Sequence, residues 1–174
     1  MTALRSLLAI LISSLSLVTV VSGQSTSFMD WSIGISTDKT VAYAATINRT
    51  SQVIAKRCTF STKDCSWHIS AKESCEQGES YAALVNTDKG AGHVTLICDG
   101  QIDSGGDYRF TFSDWKTIEN LALAGTRIGV AIPLQSDNFI VYRFSLVGAK
   151  ASTERLEAAF LKLIDEKQKD RVKI

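Results

Sequence analysis

Between residues 31 and 112 the chain alternates apolar and polar side chains with a period of two, broken by short turn sequences. Trp31, Ile33 and Ile35 fall on one face of the first run, with Asp30, Ser32 and Ser36 on the other. After Thr37-Asp38-Lys39-Thr40 the pattern returns with Val41, Tyr43, Ala45 and Ile47 expected on the buried face. Further runs cover 51–60, 65–70, 81–86, 92–99 and 107–112. Their links, Ser61-Thr62-Lys63-Asp64, Asp88-Lys89-Gly90 and Ser104-Gly105-Gly106-Asp107, carry turn chemistry. Connections this short join antiparallel strands, because a parallel pair needs a crossover of a dozen residues or more.

Two segments depart from strand period. Residues 114–124 place Trp115, Ile118, Leu121 and Ala122 on one helical face, with Asp114 as cap and Gly125 as stop. Strands are expected at 127–134 and 138–147, with Pro133 tolerated near the end of the first. The last helix is expected near 152–168, capped by Ser152 or Thr153, with Leu156, Ala159, Phe160 and Leu163 as its apolar stripe. The polar tail beyond Lys167 is expected to fray. Residues 24–174 therefore read as one domain, an antiparallel β-sandwich or open barrel with a short helix near 114–124 and a C-terminal amphipathic helix near 152–168.

The first 23 residues are of a different kind. Arg5 is their only charge, the stretch from Leu7 to Val21 is apolar apart from small hydroxyl residues, and Val21-Ser22-Gly23 closes it. These are the parts of a secretory signal peptide, with cleavage expected before Gln24. A membrane anchor would need about 20 mainly apolar residues, and Ser13, Ser14, Ser16 and Thr19 interrupt this run. No later segment is long and apolar enough to span a bilayer. Of 19 basic and 18 acidic residues the leader holds only Arg5, so the exported chain carries 18 of each. That neutrality argues against nucleic-acid binding, which needs a cationic surface. Export also decides how the four cysteines read. In an oxidising compartment Cys58, Cys65, Cys75 and Cys98 form two disulfides. Loop entropies of the three pairings differ by only about 1 kcal/mol, and local geometry favours Cys58–Cys65 across a hairpin and Cys75–Cys98 from loop to strand. A zinc site would want CxxC or Cys/His spacing, which is missing here.

No catalytic constellation stands out. Asp103-Ser104-Gly105-Gly106 echoes the nucleophile loop of trypsin-like serine proteases. Neither His68 nor His93 sits in the setting of that enzyme's base, so the segment reads as a glycine-rich turn. Asp99, Asp103 and Asp107 recur every four residues and form a speculative oxygen-ligand loop, without the spacing of an EF-hand. His68 and His93 are lone strand histidines, and Trp31, Trp67 and Trp115 are as suited to a core as to a ligand groove. Oxidation of all four cysteines leaves no thiol nucleophile. No cofactor or metal is expected.

Toward the C-terminus, Arg127-Ile128-Gly129-Val130-Ala131-Ile132-Pro133-Leu134 precedes a strand ending Arg143-Phe144-Ser145-Leu146-Val147-Gly148-Ala149 and then a helix. Over residues 115–160 this resembles the invasion-associated locus B family of exported bacterial proteins. Gly148-Ala149 departs from the glycine-aromatic pair expected there. The resemblance implies a periplasmic or secreted protein of a Gram-negative bacterium with no known enzymatic chemistry; in some pathogens the family is linked with host-cell entry. It brings no catalytic residue. The leading expectation is a non-enzymatic exported binding or envelope-associated protein, its partner another protein or an envelope component. Alternatives are a periplasmic enzyme inhibitor or chaperone-like domain using the Cys58–Cys65 hairpin, and a small hydrolase using His68 or His93 with an acid from 99–107.

Overall fold

The computed structural model describes residues 26–102, 106–133 and 138–171. The expected signal peptide, 1–23, lies outside them. Ten strands and two helices follow in the order β1 (Thr26–Phe28), β2 (Trp31–Ile35), β3 (Val41–Ile47), β4 (Val53–Thr59), β5 (Asp64–Ala71), β6 (Ser80–Thr87), β7 (Gly90–Gln101), β8 (Tyr108–Phe112), α1 (Trp115–Ala124), β9 (Arg127–Pro133), β10 (Phe139–Ser145) and α2 (Ala149–Arg171). All strand pairings are antiparallel, in one sheet of order β1-β2-β3-β4-β5-β8-β7-β6-β9-β10. The sheet curls without closing into a barrel. Its ends meet at one corner, where Trp31 Nε1 donates to the Ser145 carbonyl at 3.0 Å and Asp30 N to the Val147 carbonyl at 3.3 Å. Both expected disulfides are formed. Cys58 and Cys65 are directly paired across the β4–β5 hairpin, and Cys75 ties the β5–β6 connection to β7.

The curled sheet divides its side chains into an inner face, which holds the core and is covered by α1 and α2, and an outer face without helices. Trp31, Ile54, Trp67, Ile69, Leu96, Phe110, Phe112 and Val130 are all inner and buried. Trp31 and Trp67 meet edge to face, with ring centroids 5.9 Å apart. Both helices are held on the inner face partly by a charge. Lys56 of β4 is buried, and its Nζ bonds Glu119 of α1 at 2.7 Å and Glu157 of α2. Glu119 also accepts the Trp67 indole N–H.

Several expectations need correction. On β3 Val41 is buried as expected, but so are Ala42, Ala44 and Thr46, while Tyr43 and Ala45 are half-buried and Ile47 is exposed. Small side chains are required inside because α2 packs on β2 and β3 there. Helix α1 starts as expected, with Asp114 accepting from Thr117 N at 3.2 Å, but Trp115 is 54% exposed and only Ile118 and Ala122 are buried on it. Helix α2 begins at Ala149, three residues before the expected caps. Ser152 and Thr153 lie inside the helix and are buried; the Thr153 hydroxyl donates back to the Ala149 carbonyl at 3.0 Å, an alternative use of a hydroxyl that would otherwise cap. The early start rests on Gly148, whose φ of 95° suits glycine. A Cβ there would lie 2.5 Å from the Phe28 carbonyl oxygen, so strand and helix join sharply only through a residue without a side chain. Strand β1 was not expected. Three residues are too few to show a period, and Thr26–Phe28 is a strand because β2 pairs with it.

Candidate functional site

The outer face carries the chemistry. Ser66 and His68 are two residues apart on β5, so the pleat turns both outward. Arg57 of β4 lies directly opposite Ser66, and Thr111 of β8 opposite His68. The acid arrives by a different device. On β7, Cys98 pairs with Phe110 and Gly100 with Arg109, which leaves Asp99 as an extra residue. Such a bulge re-aims a side chain, and Gly100, at φ 98°, supplies the backbone turn beside it.

The resulting network is continuous. Ser66 Oγ lies 2.7 Å from His68 Nε2. His68 Nδ1 is 3.3 Å from Asp99 Oδ2 and 3.0 Å from Thr111 Oγ1. The Thr111 hydroxyl donates to Asp99 at 2.9 Å, and Arg109 Nε donates to Asp99 Oδ2 at 2.8 Å. Because Asp99 takes the Thr111 proton, the network assigns the His68 proton to Nδ1 and leaves Nε2 to accept from Ser66. Burial is the main influence on His68 and lowers its pKa; the Arg57 and Arg109 charges act the same way, and Asp99 opposes them. The ring is therefore neutral at neutral pH. Burial works to raise Asp99, but the bonds from His68, Arg109 and Thr111 outweigh it and hold the carboxyl at about 2.

Chemically, a hydroxyl, a neutral imidazole and a carboxylate in line form the relay used to activate a serine. Acyl transfer also needs donors aimed at a developing oxyanion, and Arg57 lies across the ladder from Ser66. Arg57 is otherwise unengaged: among the described residues its guanidinium makes no hydrogen bond or ion pair. Burial and the neighbouring Arg109 lower its pKa, with Asp99 and Asp38 partly offsetting them. Two grooves flank it, of about 410 Å³ toward β8 and about 610 Å³ toward β3.

Of the residues singled out in the sequence, His68 and Asp99 come together. His93 does not join them. It is exposed on the outer face opposite Leu84, four residues along β7 from Ile97, the partner of Thr111. Asp107 lines the groove beside Arg109, and Asp103 lies outside the described residues. Among the described residues no group of three or more His, Cys, Asp or Glu could hold a metal ion. Sequence reading did not find Arg57, Ser66, Arg109 or Thr111. The spacing Ser66-x-His68 was a readable sign that two polar groups share one strand face, and Asp99-Gly100 was a readable sign of a bulge.

An antiparallel sheet curled around its own core, closed by two helices and stapled by two disulfides, defines a β-rich class suited to an oxidising compartment. Among the described residues no helix is long and apolar enough to cross a membrane. The fold is similar to the crystal structure of invasion associated protein B from Bartonella henselae, with a TM-score of 0.55 and 15% sequence identity, over 78% of this chain and 97% of that one. At that identity the likeness is one of fold. No family profile and no curated protein matches the chain.

Proposed function

We propose that the chain is an exported, envelope-associated or secreted binding protein that works without catalysis. The observation that carries this reading is the outer face, a polar surface with open grooves on either side of Arg57, whose guanidinium has no acceptor among the described residues. The shared fold, the two disulfides and the leader-like first 23 residues support an extracytoplasmic setting. The partner is a protein or another envelope component. Crosslinking and pull-down of the tagged protein from its native envelope tests this. A specific partner, lost when the outer face is altered at Arg57 and Tyr43 together, is the expected result; recovery of no specific partner removes the support. A second reading, a small hydrolase, is favoured by the Ser66–His68–Asp99 line. It requires labelling of Ser66 by a fluorophosphonate, abolished in His68→Ala, and an unlabelled protein would sink it.

A further inference from the structure

Arg57 differs from Lys56 and Arg109 in having no acceptor among the described residues. Lys56 has Glu119 and Glu157, and Arg109 has Asp99. The carboxylate of Asp99 is held by Arg109, Thr111 and His68 and acts on Arg57 through space without a hydrogen bond or ion pair to it. Asp38, the other acid that acts on Arg57 through space, is bound by Ser36 and Thr40 within its own turn. A guanidinium presents five donors in a planar fork that fits two oxygens side by side. Leaving such a group partly out of water and without an acceptor is costly, and a ligand oxyanion would relieve that cost.

The surroundings narrow the ligand. Val53, Ala55 and Arg57 line both flanking grooves. On one side the apolar wall continues with Ile102, 46% exposed, and on the other with Ala45 and Ile47, the latter 67% exposed. Tyr43 lies against the sheet over Gly34, where a Cβ would come within 2.6 Å of its hydroxyl, and Ala55, 5% exposed, forms the floor of the strip beside Arg57. Asp107 lines one groove and Asp30 the other. These acids disfavour a second negative charge, which selects a monoanion over a phosphate dianion. Neutral His68 adds no positive charge to oppose that preference.

We propose that Arg57 anchors a ligand-binding site for a carboxylate carried on an aliphatic body, the carboxylate paired with the guanidinium and the body laid along Val53 and Ala55. The site rests on the binding reading and specifies the ligand chemistry of that surface. The groove volumes lie within the range of small-molecule sites.

The purified full chain is titrated by calorimetry and by amide chemical-shift mapping with three probes: octanoate, octan-1-ol and inorganic phosphate. Octanoate is expected to bind at millimolar concentration or below and to shift amides of β4, β5 and β3. Octan-1-ol and phosphate are each expected to bind at least tenfold more weakly, and Arg57→Gln to lose at least tenfold in octanoate affinity with an unchanged melting temperature. Arg57→Lys, which keeps the charge without the fork, should recover part of the loss. Equal affinity for octanoate and octan-1-ol, phosphate binding as tight as octanoate, unchanged binding in Arg57→Gln, or no binding at millimolar concentration would each overturn the site. The two readings fail separately. An envelope partner captured by a protein inert to octanoate overturns this site alone, whereas Arg57-dependent octanoate binding without any envelope partner keeps the site and overturns the protein-partner reading.

Discussion

Lys56 and Arg57 are consecutive in β4 and carry the same charge, yet the pleat sends them to opposite faces with opposite fates. Lys56 points inward, where two helices bring Glu119 and Glu157 to its ammonium. Arg57 points outward, where the carboxylates that act on it, Asp99 and Asp38, are already held by other donors. Inside, the chain supplies every partner a buried cation needs, as close packing around a charge demands. Outside, it supplies a rigid frame of satisfied groups around one cation it does not satisfy. A face completed by its own chain serves the fold. A face left incomplete has an unmet interaction to offer something else.

Breaking the inner member should have the largest effect. Lys56→Met leaves Glu119, with a side chain 18% exposed, without its cation, and removing one partner of a buried pair costs about 3–5 kcal/mol. Glu119 keeps the Trp67 indole N–H and Glu157 is 46% exposed, so the lower end of that range is expected in urea unfolding. Lys56→Met combined with Glu119→Gln should recover part of the loss, since no unpaired charge then remains inside. A loss below about 0.5 kcal/mol, the size of an ordinary surface change, would mean that the helices do not depend on this charge.

The outer network should show itself through pH. The folded state lowers the His68 pKa, chiefly by burial, so it favours the neutral ring. That contribution to stability is complete above the unfolded value of about 6.5 and is lost as pH falls through the lower folded value. Asp99 adds a separate window: its contribution is present above the ordinary 3.8 and is lost as pH falls toward about 2. Melting temperatures from about pH 8 to about pH 3 should therefore decline in two stages. His68→Gln should flatten the first stage and, because the His68 bond helps to hold Asp99 down, shrink the second without removing it, starting from a lower value at neutral pH. An identical profile in both proteins would show that the ring titrates as a free surface histidine.

Much of the architecture was legible because period and turn chemistry are local. Antiparallel strands from 53 to 112, both disulfides and α1 with its Asp114 cap all follow from neighbouring residues. The inner face of β3 was misread for a reason with physical content. Tyr43 and Ile47 are the larger apolar residues, but Ala42 and Ala44 are inside because α2 needs room there, and no local pattern reports that. Lys56 was hidden by the same logic, since a charged residue in a strand reads as outward until Glu119 and Glu157 are known to converge on it. The site was half legible. Ser66 and His68 share a face by spacing alone, whereas Asp99 reaches them through a bulge and Thr111 through a pairing, β5 with β8, that links distant parts of the chain.

Arg57 gives the smallest effect and the sharpest test of the contrast. Arg57→Met keeps an unbranched apolar stem and removes the charge. Because the guanidinium has no acceptor among the described residues, no bond is lost, and the desolvated cation is no longer a burden on the folded state. The expected change in unfolding free energy is within about 0.5 kcal/mol of zero, as for surface substitutions that break no specific interaction. Its removal also takes away a positive neighbour that helps to lower the His68 pKa, so the first stage of the acid decline should be smaller and end at higher pH than in the parent protein. A destabilisation as large as that of Lys56→Met would mean that the protein itself satisfies Arg57. The two faces would then be alike, and the outer cation would be a structural group with nothing left to bind.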